Sequence, residues 1–238
     1  MKRKILFTLL MMLIFFACGK YRARDELAKL GVDFTEENFV TAVQKNDTLQ
    51  INLFLDAGMK PIAKAKDGRS VLIIATANAN YKIVERFLKN GADPNYQLES
   101  GMAPLMYAAN QGNDKMILLL LENGADPNKQ ELGGRSALHF ATLRGSLRSV
   151  EALLEHEADP NQQDKHGMTP LIRAAMKNYI GISEALLKNG ADPEISDKFR
   201  RNAYFFARKF PDSELSEIIE QAVAENRKNQ ESENKEVF

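Results

Sequence analysis

Residues 91–95 read Gly-Ala-Asp-Pro-Asn, and the same phrase returns as GADPN at 124–128, ADPN at 158–161 and GADPE at 190–194. Successive copies are in register at a period of 33 residues, and a degenerate copy, AGMKP at 57–61, extends the series backwards by one more period. A fixed period of this length indicates a stack of supersecondary units rather than one compact fold. The place of a residue in the repeat therefore has to be considered before a chemical role is assigned to it.

When the repeats are aligned at their period of 33 residues, a second set of equivalent positions, or column, marks the start of a helix in each repeat. It begins with a turn glycine and continues with a hydroxyl residue in most copies and a proline in some, at 68–72, 101–105, 134–138 and 167–171. Serine or threonine caps exposed N–H groups, and proline suits the first helical position. An alanine follows three residues after the leucine of each copy, and its small side chain lets neighbouring helices approach closely. We expect this column to be buried, at Ala75, Ala108, Ala141, Ala174 and Ala207.

A second helix follows in each repeat, marked by pairs of large apolar residues: Phe54-Leu55, Phe87-Leu88, Leu120-Leu121, Leu153-Leu154 and Leu186-Leu187. We expect it to end at Gly91, Gly124 or Gly190, because glycine adopts the left-handed conformation without strain. The Asp-Pro that follows cannot continue a helix. Glu157 occupies the same column, where this conformation costs a non-glycine residue roughly 1 kcal/mol. Tolerated local strain is the favoured interpretation, and a soft joint between the fourth and fifth repeats is the alternative.

With these columns in place, the chain resembles the ankyrin-repeat family. The family pattern of a turn glycine, a TPLH helix start, an alanine-rich first helix, a Leu-Leu pair and a GADxN loop matches from about residue 33 to about residue 225. The resemblance implies an all-α solenoid of about six 33-residue helix-turn-helix units. The predicted units are 33–64, 65–97, 98–130, 131–163, 164–196 and 197–225. The charged segment 226–238 has almost no apolar residues, which predicts a disordered tail.

The N-terminus combines a basic start, an apolar run and a cysteine. Three basic residues at 2–4 precede an apolar run at 5–17, and the only cysteine, Cys18, follows directly. The run is shorter than the roughly 20 residues that span a membrane, as in a secretory signal. The arrangement resembles the export signal of a bacterial lipoprotein, which implies a signal peptide at 1–17, lipid attachment at Cys18 and a short tether at 18–32. A chance cysteine in an ordinary signal or in an uncleaved anchor is the alternative.

Composition and spacing give no support for catalysis, metal binding or nucleic-acid binding. The chain has 32 basic and 32 acidic residues, and loss of residues 1–17 would leave 29 against 32, an ordinary balance. His139, His156 and His166 fall at different places in the repeat, so a zinc site is not expected. No phosphate-binding loop, dinucleotide motif or serine elbow is present. We therefore expect no enzyme activity and no cofactor.

The variable columns are where a partner would bind. The ankyrin resemblance implies binding through the turn tips and the exposed side of the first helices, which line a concave face. In the later repeats these positions combine cations with apolar residues, a composition typical of interface centres. The predicted partner-binding residues are Arg135, Leu143, Arg144, Lys165, His166, Met168, Met176, Lys177, Phe199 and Arg201. The alternative is that the cations are solvated and the apolar residues pack on neighbouring turns.

These inferences together predict a monomeric, non-catalytic scaffold for protein–protein interaction. We expect a lipid to hold it in a bacterial cell envelope, on the periplasmic side or at the cell surface. The expected partner is an acidic protein. A surface-exposed or secreted factor that binds a host protein is the alternative function, and an enzyme is the least favoured one.

Overall fold

The computed structural model describes residues 18–236, with side chains through residue 228. The predicted signal peptide, residues 1–17, and the last two residues of the predicted tail lie outside the described residues. No strand occurs between residues 18 and 236, and the predicted all-α repeat fold is confirmed. None of the helices in that range is both long and apolar enough to cross a membrane. The chain divides into an N-terminal part that ends at Tyr96 and a C-terminal part that begins at Gln97.

The N-terminal part is built from two helix pairs and a preceding helix. Its helices are α1 (residues 18–29), α2 (Glu36–Gln44), α3 (Thr48–Asp56), α4 (Val71–Ala77) and α5 (Tyr81–Lys89). Helices α2 and α3 form one pair, α4 and α5 form the next, and α2 packs against α4. The ring of Phe39 lies 5.5 Å from that of Phe54 and 5.8 Å from that of Phe87, measured between centroids. All three rings are fully buried and form the centre of this core.

Helix α1 occupies most of the segment predicted to be a short tether, residues 18–32. Ala23 and Leu27 lie one helical turn apart and are both buried, which gives the helix an apolar face that packs on the rest of the N-terminal part. The guanidinium of Arg24 lies 4.4 Å from the centroid of the Phe34 ring. The side chain of Lys20 reaches Gly58, 3.3 Å from where a β-carbon on that glycine would lie. The chain after Cys18 is therefore held against the first repeat.

The C-terminal part contains two rows of helices. They are α6 (Pro104–Gln111), α7 (Asp114–Glu122), α8 (Ala137–Arg144), α9 (Leu147–Glu155), α10 (Pro170–Met176), α11 (Ile180–Lys188), α12 (Ala203–Ala207) and α13 (Leu215–Glu236). The first helices α6, α8, α10 and α12 pack one on the next, and the second helices α7, α9, α11 and α13 do the same. Within this part the alanine column is fully buried, as predicted, at Ala108, Ala141, Ala174 and Ala207.

Glu157 adopts the left-handed conformation that its column predicts. Its φ is 63°, where Gly124 and Gly190 have 84°. The carbonyl of Glu157 accepts a hydrogen bond from Asn128 Nδ2 at 2.9 Å, and the carbonyl of Gly190 accepts the same bond from Asn161 at 2.9 Å. Because the bond between repeats is kept at Glu157, the structure favours local strain over a soft joint.

A disordered tail was predicted for residues 226–238, but helix α13 continues through residues 226–236 of that segment. Arg227 Nη2 forms an ion pair with Glu194 Oε1 at 2.8 Å, and Asn226 Nδ2 lies 3.3 Å from Asp192 Oδ1. Glu194 stands where earlier repeats carry the asparagine that bonds to the next repeat. The helix therefore binds the loop that a further repeat would otherwise cover.

Candidate protein-binding surface

Side-chain amides hold the turns of the C-terminal part at fixed spacing. Nε2 of Gln97, Gln130 and Gln163 donates to the carbonyl of the glycine in its own turn, at 2.7–2.8 Å. Each also donates to the carbonyl 33 residues further on, in the next turn, at 3.1–3.3 Å. Backbone bonds join the same turns, from Leu132 N to Ser100 O, Lys165 N to Gly133 O and Lys198 N to His166 O. The turn tips therefore form a row with a defined spacing.

A buried carboxylate lies in each of the last three turns. The side chains of Glu131, Asp164 and Asp197 are only 9 %, 1 % and 1 % exposed, and each forms an ion pair with an arginine of its own repeat. The ion pairs are Glu131–Arg135, Asp164–Arg173 and Asp197–Arg201. These carboxylates were not among the residues predicted from the sequence, although their recurrence at the repeat period was a signal that could have identified them.

These carboxyls stay ionised, so each one neutralises its arginine. Burial alone would raise the pKa of Asp164, but two backbone N–H donors and the charge of Arg173 outweigh burial and hold this pKa below its ordinary value. Burial likewise opposes ionisation of Asp197, and hydrogen bonds from Arg201 and from backbone N–H groups lower its pKa. Arg201, and Arg135 by the same pairing, therefore stabilise the turns instead of offering an unpaired charge.

Met168 was predicted to be an exposed apolar contact, and the structure corrects this placement because Met168 is only 8 % exposed. Its backbone N–H donates to Asp164 Oδ1 at 3.0 Å. Its carbonyl lies 3.0 Å from His139 Nε2. These bonds draw the residue into the turn, so its side chain packs inward.

The other predicted residues lie on one surface of the C-terminal part. We call this surface the turn face: the turns 130–136, 163–169 and 196–202 together with helices α8, α10 and α12 and the residue that follows α10, Lys177. Its exposed members from the prediction are Arg144, Lys165, His166, Met176, Lys177 and Phe199, and Leu143 is half-buried. Leu143-Arg144 and Met176-Lys177 hold equivalent positions on helices that pack together, so the structure brings these four residues into adjacent rows.

Two exposed phenylalanines mark the last repeat of the turn face. Phe199 is 74 % exposed and Phe205 is 46 % exposed. The guanidinium carbon of Arg201 lies 4.8 Å from the centroid of the Phe199 ring and 5.0 Å from that of Phe206. The paired arginine therefore fixes an aromatic cluster in place. Phe205 was not among the predicted residues, and nothing in its column indicated that it would be exposed.

The comparison with known families agrees with this architecture. The family model for ankyrin repeats, which spans three copies, matches residues 39–131 and again residues 105–197. Together the two matches cover about two-thirds of the chain. The chain belongs to the ankyrin-repeat family. No curated protein gives a significant match.

Ankyrin repeats mediate protein–protein interaction and are generally non-catalytic. Membership of this family therefore indicates an interaction scaffold. Within residues 18–236, no three His, Cys, Asp or Glu side chains come together in a way that could hold a metal ion. His139 is fully buried in α8, His156 follows α9 and His166 is exposed on a turn.

Proposed function

We propose that this ankyrin-repeat protein is a lipid-anchored scaffold of a bacterial envelope, and that its turn face binds an acidic segment of a partner protein. The observation that supports this best is the charge balance of the turn face. Its acidic residues are buried and paired with arginine. Arg144, Lys165 and Lys177 are exposed and form no ion pair with any other described residue. The accessible charge of the surface is therefore positive.

Apolar side chains lie among these cations and would add buried contact area to a complex with the partner. Met176 is 43 % exposed at the end of α10, and Phe199 and Phe205 are exposed in the next repeat. Fully burying a side chain of this size stabilises a complex by roughly 1.5–3 kcal/mol, whereas exposed charges mainly accelerate and orient association. The combination favours a partner that presents carboxylates next to an apolar side chain.

Reversing the exposed charges tests this proposal. We expect the triple substitution Arg144→Glu, Lys165→Glu and Lys177→Glu to weaken partner binding at least about tenfold, because repulsion replaces attraction. The partner is first trapped by crosslinking in native membranes and identified, and its affinity for both forms of the scaffold is then measured. Arg135 and Arg201 are left intact, since their reversal would break the turns.

The matched control reverses three exposed cations on the second helices, Lys115→Glu, Arg148→Glu and Lys188→Glu. It makes the same change in net charge away from the turn face, and we expect binding to change less than twofold. If the two triple variants weakened partner binding equally, the loss would follow from net charge alone. That result would contradict the assignment of the binding site to the turn face.

Membrane attachment through Cys18 is supported by the position of this residue. Cys18 is exposed and is the first residue of α1, which packs on the first repeat. We expect the protein to incorporate an alkyne-tagged fatty acid in growing cells, and Cys18→Ser to abolish the label. Tyr21→Ser, at an exposed position of the same helix, serves as the control and should keep the label. An unmodified thiol on Cys18 in the purified protein would contradict the anchor.

A further inference from the structure

A groove of about 780 Å³ lies in the N-terminal part between α1, the end of α3 with the loop that follows it, and α5. Four basic residues stand around it: Lys20, Arg22, Lys60 and Arg86. Apolar residues, among them Leu55, form part of its lining. The groove is therefore amphiphilic, and it belongs neither to the turn face nor to the interior of the repeats.

The acidic residues that line this groove are already neutralised. Asp56 forms an ion pair with Arg86. Glu26 forms an ion pair with Lys29 at 3.1 Å. Arg22 is exposed and forms no ion pair with another described residue. The groove consequently has an excess of positive charge over its acidic residues.

Lys60 adds a second cation of this kind from the opposite wall of the groove. It is exposed on the loop after α3 and, within the described chain, it takes part in no ion pair. Lys20 also lines the groove, and its side chain reaches from α1 to Gly58. Cations from α1 and from the α3 loop thus face one space.

We propose that this groove binds the headgroup of an anionic phospholipid. The phosphate would lie between Arg22 and Lys60, and the first methylenes of the lipid would contact the apolar lining. Basic residues near a membrane surface attract anionic lipid by about 1 kcal/mol each. A free phosphate would use the cations but not the apolar lining, which is why the lipid is the better occupant.

The proposal rests on the membrane attachment proposed at Cys18, because residues 19, 20 and 22, which line the groove, follow the attachment point directly. It goes beyond that attachment by assigning a non-covalent lipid site with a charge preference. Electrostatic attraction to anionic lipid adds to the membrane binding that acyl chains provide. Headgroup binding by this groove would fix how the N-terminal part meets the bilayer.

Native mass spectrometry of the full chain in neutral detergent tests the site, with dioleoyl-phosphatidylglycerol as the probe. We expect one bound phosphatidylglycerol, and at least about tenfold weaker retention of it after Arg22→Glu with Lys60→Glu. Arg22→Gln with Lys60→Gln should give an intermediate loss. Lys115→Glu with Arg148→Glu, exposed cations of the second helices, is the matched control and should bind as the unaltered protein does.

Equal retention of phosphatidylcholine and phosphatidylglycerol would overturn the proposal, as would unchanged binding by the Arg22→Glu, Lys60→Glu variant. Inorganic phosphate that binds as tightly as the lipid would also overturn it. Fatty-acid labelling of Cys18 is measured separately. If Cys18 is not labelled but phosphatidylglycerol still binds, the covalent anchor alone is contradicted and the lipid site in the groove is supported.

Discussion

Replacing Gly101 with alanine is expected to lower the free energy of unfolding by about 3 kcal/mol. Roughly 1 kcal/mol comes from placing a β-carbon at a left-handed residue, and overpacking adds about 1–3 kcal/mol. Gly101 has a φ of 81°, and its β-carbon would lie 2.7 Å from Glu131 Cα in the next turn. Relief requires the backbone of one turn to move, which strains the bond from Leu132 N to Ser100 O.

Gly124→Ala is the matched control for this prediction. Gly124 has a φ of 84°, and nothing lies within 4 Å of its would-be β-carbon. We expect this substitution to cost only the backbone strain, about 1 kcal/mol. Urea denaturation of both variants separates the two contributions. Equal losses would mean that contact between the turns does not restrict the chain at Gly101.

Lowering the pH from 7 to 4 is expected to cost the protein about 3 kcal/mol of stability through His139 alone. Burial lowers the pKa of His139 to about 4 from its usual 6.5. Below pH 6.5 the unfolded chain takes up a proton that the folded protein does not, so stability falls until the folded pKa is reached. Ser136 N–H donates to His139 Nδ1 at 3.2 Å, which leaves Nε2 to donate to the Met168 carbonyl.

The substitution His139→Met should remove this pH dependence, because the equivalent position of an earlier repeat is a fully buried methionine, Met106. We expect the variant to be less stable at pH 7 by about 1–3 kcal/mol, since the N–H of Ser136 loses its acceptor. The gap to the unaltered protein should then close as the pH falls to 4. His166→Gln, at an exposed turn position, is the control and should leave the pH profile unchanged. Parallel profiles for all three proteins would contradict the assignment.

The paired carboxylates act in a lower pH range than His139. The pKa of Glu131, Asp164 and Asp197 lies below the ordinary carboxyl value in the folded protein. Their stabilisation is therefore present above the unfolded pKa and is lost as the pH falls through the folded one. A stability profile measured from pH 7 down to pH 4 therefore mainly reflects the protonation of His139.

The repeat columns allowed the sequence to predict the scaffold at the level of single residues. Glu157 is an example, because its place in a glycine column predicted a left-handed residue, and its φ is 63°. The segments before the first repeat and after the last one were harder to predict. Helix α1 forms because Ala23 and Leu27 pack on the first repeat, and a long-range contact of this kind leaves no periodic signal. Arg227 and Glu194, 33 residues apart, stabilise α13 in the same non-local way.

The candidate surface was predicted less completely, for a related reason. Exposure at a variable column depends on side-chain pairing, which the sequence pattern alone does not specify. Arg201 was expected to be available to a partner, but Asp197 lies in the same turn and binds it at 2.7 Å. Met168 was expected to be exposed, but its backbone bonds to Asp164 turn its side chain inward. The exposed Lys165, Lys177 and Phe199 remain predictions for binding.

Photocrosslinking in intact cells tests the central claim most directly. A photoreactive phenylalanine analogue is placed at Phe199 on the turn face and, in a second strain, at Leu147, which is 38 % exposed at the start of α9. We predict that one protein crosslinks through an acidic segment at position 199 but not at 147, and that reversal of Arg144, Lys165 and Lys177 abolishes this product. Equal capture of the same protein at both positions, or a product at 199 that survives the charge reversal, would contradict recognition through the turn face.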